Sequence, residues 1–310
     1  FPAFLASLVY IKDAGGTKFS PWPWQSELAT AFPLLKRLQC YKARQIGMSW
    51  VVAAYATHTA LTNPGGDVLL MSQTEPDAIE LLGKCKFIFD HLPDALKPTL
   101  GRDNTKILEF AELHSAIRAL PSTERAGRGF TGKLVVADEH AFHQWAEANM
   151  AAVDPTIEAG GQFISLSSAN GVGNLFHQLW TKATQTREPL VPVRGEDGAF
   201  TFNGKLEALA KTLGPSAWLP LFLPYDTRPG RAEAWWEQKK AETTPQWLIF
   251  QEYPREPEEG FVQTGRPVFA KEYLDVHKRA TRDPLPKEQW PEALAAWNPE
   301  ELRLFALPVP

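Results

Sequence analysis

Leu38 to Ser49 reads Leu-Gln-Cys-Tyr-Lys-Ala-Arg-Gln-Ile-Gly-Met-Ser, and no other stretch constrains the fold of this chain as much. Its first four residues form an apolar run of strand character, and Trp50-Val-Val-Ala-Ala-Tyr55 opens an apolar helix. A loop passing from strand to helix points backbone N–H groups outward, where the helix dipole also favours an anion. The general phosphate-loop pattern is Gly-x-x-x-x-Gly-Lys-Ser/Thr. Here Lys42 stands at the first Gly position, Gly47 at the second, Met48 at the Lys position, and Ser49 closes the motif. Gly47 permits the tight turn, and the Ser49 hydroxyl suits a Mg²⁺ bridging β- and γ-phosphates. Met48 cannot neutralise phosphate oxygens, so Lys42 and Arg44 are the candidate replacements. A strand–turn–helix corner with two solvated basic residues would satisfy the same letters.

A second segment separates the two readings. Lys133-Leu-Val-Val-Ala137 has the pattern of a buried strand and ends in Asp138-Glu139. Carboxylates at the C-terminal end of a parallel strand lie where open α/β sheets bind ligands. Asp138 is the candidate to hold Mg²⁺ through water, and Glu139 to polarise an attacking water as general base. Together the two segments have the make-up of an ATP hydrolysis centre.

Strand and helix patterns alternate along the chain, which implies an α/β fold with a mostly parallel sheet. Expected strands are 38–42, 67–72, 106–110, 116–120, 134–138, 163–167 and 218–223, with 106–120 forming a hairpin. A helix over 75–92, capped by Thr74, places Ala78, Leu82, Cys85, Phe89 and Leu92 on one stripe. The pattern loosens over 201–214, as in an insertion. The 310 residues and 44% hydrophobic content allow one large domain with an appendage. A net charge of −4 excludes a global basic field, so any DNA contact must be local. The two cysteines, Cys40 and Cys85, read as reduced core residues. No apolar run approaches the roughly 20 residues of a membrane span, and no basic stretch with a cleavage site suggests secretion. His140 and His143 lack further metal ligands nearby and read as ordinary polar residues.

In their order, the motifs resemble the large terminase subunit of tailed bacteriophages, the ATPase that drives DNA into a capsid. Pro23-Trp24-Gln25 is similar to that family's adenine-recognition motif, with the Gln25 amide pairing with the adenine edge and Trp22 or Trp24 packed nearby. Arg44-Gln45-Ile46-Gly47-Met48-Ser49 matches its Arg-Gln-x-Gly-x-Ser/Thr loop, including members that carry the lysine early, as Lys42 does here. Arg128-Gly129-Phe130 and the Asp138-Glu139 strand resemble its Arg-Gly-Phe and Walker B region. Ser165-Leu-Ser-Ser-Ala-Asn170-Gly171 is similar to its coupling motif, and 251–261 to the segment closing its lid subdomain. The chain departs from the family at Met48, and at Ala169 where Pro is frequent.

The resemblance implies a RecA-like P-loop ATPase of the additional-strand, conserved-Glu type with a small helical lid. It divides the chain into a core over 1–228, a lid over 229–265, and a linker over 266–310 toward a C-terminal nuclease domain that the tail is too short to hold. It implies ATP and Mg²⁺ as cofactors, bound by Trp24, Gln25, Lys42, Arg44, Gln45, Gly47, Met48, Ser49, Ser168 and Asn170, with Ser49 and Asp138 on the metal. Glu139, Arg44, Arg128 and Lys42 take catalytic roles, Arg44 in cis and Arg128 in trans as an arginine finger. Such added charge is worth about 10³–10⁵ in rate in phosphoryl transfer. Ser168 and Asn170 sense the γ-phosphate and pass hydrolysis to a moving part. The implied partners are double-stranded DNA, a portal protein, a small terminase subunit and further copies of the chain in a ring, with no membrane, in the host cell cytoplasm. A helicase-like DNA translocase of the same fold and a nucleotide-binding assembly module without hydrolysis remain as alternatives.

Overall fold

Short apolar segments that alternate with helices build one broad sheet covered on both faces. The computed structural model describes residues 1–12 and 16–261. Its strands are β1 (Tyr10–Ile11), β2 (Thr17–Lys18), β3 (Arg37–Lys42), β4 (Asp67–Ser72), β5 (Leu100–Asn104), β6 (Ile107–Phe110), β7 (Ser115–Pro121), β8 (Gly132–Asp138), β9 (Gln162–Ser167), β10 (Val193–Arg194), β11 (Phe200–Thr201) and β12 (Trp218–Leu223). The helices are α1 (Pro2–Leu8), α2 (Pro23–Ala31), α3 (Met48–Thr62), α4 (Glu75–Asp90), α5 (Ala146–Glu158), α6 (Leu175–Thr186), α7 (Lys205–Thr212), α8 (Glu233–Glu242), α9 (Trp247–Glu252) and α10 (Pro257–Gly260).

Eight strands form the central sheet in the order β12-β3-β9-β8-β4-β7-β6-β5, with β1–β2 and β10–β11 as separate two-stranded ribbons. From β12 to β7 the neighbours run parallel, whereas β6 and β5 pair antiparallel at one edge. Strand β9 lies between loop strand β3 and acidic strand β8, which is the added strand expected from the resemblance. Burial alternates with the pleat. Val68 and Leu70 pack with α3 and α4, whereas Leu69 and Met71 pack with Val153 and Ile157 of α5.

Each expected strand coincides with an observed one, and 106–120 pairs as a hairpin with Ile107 opposite Arg118. Strand β5 was not foreseen, because Leu100-Gly-Arg-Asp-Asn is polar and exposed and carries no apolar period. Segment 201–214 is not a loose insertion. It contains α7, whose Leu206 and Ala210 are buried, and Glu27 accepts the Phe202 and Gly204 N–H groups at 2.8 and 2.9 Å. Thr74 caps α4, its hydroxyl accepting the Asp77 N–H at 3.4 Å. Trp236 and Ile249, from the segment expected to form the lid, are fully buried in the same core as α3 and the sheet. The described residues up to 261 form one compact unit, and the expected linker lies outside the described residues.

Candidate functional site

Strand β3 delivers the chain to the C-terminal edge of the sheet, and α3 begins beyond Lys42 after the intervening loop 43–47. Main-chain bonds hold the loop: Ala43 N–H donates to Leu223 O and Arg44 N–H to Glu252 O, both at 2.9 Å. Gln45 (φ 58°) and Gly47 (φ 76°) occupy the left-handed region, which turns the chain sharply into α3. A Cβ on Gly47 would meet Gln25 Nε2 at 2.8 Å, so the position needs glycine for space as well as for φ. The first N–H groups of α3 have no intrahelical acceptor, as at any helix start, and face outward with the positive end of the dipole. A cavity of about 260 Å³ opens over them, lined by Lys42, Gln45, Gly47, Ser49, Lys84 and Arg228 among others.

The acidic half comes to the same edge. Lys42 Nζ donates to Glu139 Oε1 at 2.8 Å. Glu139 Oε2 accepts the Ser167 hydroxyl at 3.3 Å and the Ser168 N–H at 3.2 Å. Glu139 itself has φ 49°, a left-handed conformation that a side chain rarely adopts, stored beside the loop. Burial by itself would raise the Glu139 carboxyl, but the Lys42 charge and hydrogen bond hold it below the usual carboxylate range. Burial likewise works against the Lys42 ammonium, and Glu139 and Asp138 more than offset it, leaving its pKa raised. The Asp138 carboxyl is pushed up, by burial and then by the Glu139 charge. The charges of Lys42 and Lys84 act against that rise, and Ser49 lines the loop cavity, whereas Asp138 does not.

Other expected site residues stand elsewhere. The Met48 side chain is 2% exposed and packs in the core, although the residue also borders the cavity. Arg44 turns away to Glu252 of α9, Nε to Oε2 2.8 Å. Trp24 is fully buried, with its indole donating to Thr227 O at 3.0 Å. Gln25 accepts the Trp22 N–H at 2.9 Å and donates to Ile46 O at 3.2 Å. The amide thus closes the start of α2 through its oxygen and ties α2 to the loop through its nitrogen. Ser168 reaches Glu139 through its N–H, and Asn170 Nδ2 donates to Ala141 O at 3.1 Å. These two residues join the turns after β9 and β8 and do not line the loop cavity. Arg128 lies exposed between β7 and β8, also away from that cavity. His140 and His143 are core groups, bonded to Ser165 Oγ and Asp138 O, both at 2.8 Å.

Residues just beyond β12 complete the site and were not foreseen. Arg231 Nη1 donates to Arg44 O at 2.8 Å, and Nη2 to Gln45 Oε1 at 3.1 Å. Its guanidinium carbon lies 4.4 Å from the Trp235 ring centre and 5.0 Å from that of Tyr253. Arg228 Nη1 donates to Gln45 O at 2.9 Å. Next to the loop cavity is a second one of about 340 Å³, with Trp22, Arg194, Phe200, Asp226 and Arg228 in its walls. The run Asp226-Thr-Arg-Pro-Gly-Arg231 follows an expected parallel strand, and the strand-end rule that singled out Asp138 would have singled it out too.

An added strand between the loop strand and the acidic strand, with a phosphate cradle at a helix start, defines a P-loop nucleotide-binding protein. Residues 39–256 match the family model described as terminase large subunit, T4likevirus-type, N-terminal. The chain belongs to this family. It is 32% identical over 149 residues to the Mu-like prophage FluMu protein gp28 of Haemophilus influenzae, a match covering 44% of this chain and 29% of that relative. The chain therefore aligns with under a third of that protein's length. Among solved structures it resembles the Thermus phage P74-26 large terminase ATPase domain (TM-score 0.57, 19% identity, 79% of this chain and 95% of that one). It also resembles the large terminase of bacteriophage HK97 (TM-score 0.59, 10% identity, 91% and 58%). The large terminase of a thermophilic bacteriophage in complex with ADP gives a TM-score of 0.51 at 11% identity, covering 78% and 54%. At these identities the structural matches establish the RecA-like fold.

Proposed function

We propose that this chain hydrolyses Mg-ATP and is the motor part of a terminase that moves double-stranded DNA into a procapsid. The observation that carries the reading is the Lys42–Glu139 pair, 2.8 Å across the junction of loop and acidic strand. A bound triphosphate offers Lys42 a competing anion. Transfer of the ammonium from Glu139 to phosphate would free the carboxylate to take a proton from water, as general base. The loop N–H groups and Lys42 bind phosphate oxygens, and Ser49 and Asp138 would hold Mg²⁺. Bound there, the ion would neutralise charge developing on the phosphates. Ser167 and Ser168 keep Glu139 aimed through their two hydrogen bonds. Arg44, released from Glu252, can turn to the same phosphates in cis.

The exposed Arg128 suits a role in trans in a ring of copies on a portal protein, with the small terminase subunit as a further partner, in the host cytoplasm. Family membership and the exposed loop support this assembly. The test is Mg-ATP turnover at high protein concentration by the intact chain, Glu139→Gln and Lys42→Ala. Turnover lost in both variants upholds the reading. Nucleotide binding with no turnover, even with portal protein and DNA added, would instead establish an assembly module without hydrolysis.

A further inference from the structure

We propose that Arg228 is a phosphate-contacting residue of this site, supplying the positive charge that the loop lacks at Met48; the proposal rests on the nucleotide reading above. Four observations carry it. The Met48 side chain is in the core, so the helix start has no cation of its own. The two basic residues of the loop, Lys42 and Arg44, must each leave a carboxylate, Glu139 and Glu252 at 2.8 Å, before they can meet a phosphate, whereas Arg228 need not. Lys84, which also lines the loop cavity, is paired with Glu80 at 2.6 Å. Arg228 lines both the loop cavity and the neighbouring aromatic one, and among the described residues no carboxylate lies within ion-pair distance of it.

The geometry is built in advance. The Thr227 carbonyl accepts the buried Trp24 indole N–H, and the Arg228 carbonyl accepts the Arg231 N–H at 3.2 Å, so main-chain contacts fix the residue on both sides. One guanidinium N–H is spent on Gln45 O at 2.9 Å. The other donors of the fork remain for a phosphate, to which a guanidinium binds bidentately. A nucleotide with its phosphates over the start of α3 and its base in the neighbouring cavity would pass its first phosphates across Arg228, which borders both. The ligand class is thus a nucleoside di- or triphosphate, with the phosphates read by Arg228 and not the base.

The test compares binding of adenosine, inorganic pyrophosphate and ADP to the intact chain, Arg228→Lys and Arg228→Gln, by calorimetry with Mg²⁺ present. Gln keeps a donor for the Gln45 carbonyl but no charge, and Lys keeps the charge. Arg228→Gln is expected to weaken pyrophosphate and ADP by about tenfold to a hundredfold, the scale of a hydrogen bond to a charged group, with adenosine unchanged. Arg228→Lys should recover most of the loss. Arg228→Gln binding pyrophosphate as the intact chain does, or losing adenosine and pyrophosphate equally, overturns the proposal while leaving the nucleotide site in place. An intact chain that binds neither pyrophosphate nor ADP overturns both. Far-ultraviolet circular dichroism of each variant excludes misfolding as the cause.

Discussion

Replacing Gly47 by Ala should both destabilise the chain and empty the phosphate cradle, and the size of the effect can be worked from two contacts. At φ 76° an alanine carries the left-handed cost of about 1–2 kcal/mol. Its Cβ would also sit 2.8 Å from Gln25 Nε2, closer than such atoms approach, so Gln25 must shift. That shift breaks the 3.2 Å bond to Ile46 O, which adds about 1 kcal/mol. The sum is about 2–3 kcal/mol, or a fall in Tm of about 4–12 °C for a chain of this size. Thermal unfolding followed by circular dichroism measures it. The clash makes a second, sharper requirement. Once Gln25→Ala has removed the amide, adding Gly47→Ala should cost only the left-handed part, so the double variant is less damaged than the sum of the singles by about 1 kcal/mol. A Gly47→Ala chain that melts with the parent, or strictly additive losses, would refute the argument that the loop rests on Gln25.

Arg231→Lys removes a fork that joins Arg44 O and Gln45 Oε1 while resting on Trp235 and Tyr253. It should cost about 1–3 kcal/mol and weaken ADP binding; unchanged affinity in a destabilised chain would show that Arg231 does not position the loop. Gly260 packs against the Tyr41 hydroxyl, where a Cβ would overlap it. Gly260→Ala should therefore loosen α10 and open 253–261 to limited proteolysis, with Tyr41→Phe in the same chain restoring only part of the protection, since the ring carbon at 2.9 Å remains. Burial among Phe1 and Phe4 lowers the His58 pKa to about 4. The unfolded chain then takes up that proton first, so His58 removes stability as pH falls from about 6.5 toward 4. The drop in Tm between about pH 7.5 and 5 should be smaller in His58→Gln than in the parent, and an equal drop would remove His58 from the acid response.

Local chemistry made much of this protein legible. Strand β3, the Gly47 turn and α3 follow from an apolar run, a residue free to take positive φ and a second apolar run, all adjacent in sequence. Asp138-Glu139 at a strand end could be read for the same reason. The period-2 and 3.6-residue patterns placed the parallel strands and α4, because those elements bury apolar side chains at regular spacing. Polar edge strand β5 and the small helix α7 escaped, since Leu100–Asn104 buries little and α7 depends on Glu27 and its packing on α2.

What the sequence by itself determined was the set of chemical groups and the edge of the sheet on which they stand. Which of those groups are free was decided only by the tertiary structure. Lys42 meets Glu139 across the gap between β3 and β8, Arg44 is drawn to Glu252, and Gln25 bridges Trp22 and Ile46. Arg228 and Arg231 reach the loop from a segment far away along the chain. Pairing of charges and amides depends on distances in space, and strand order sets those distances. A local pattern names the donors and acceptors but does not say which partner each one finds.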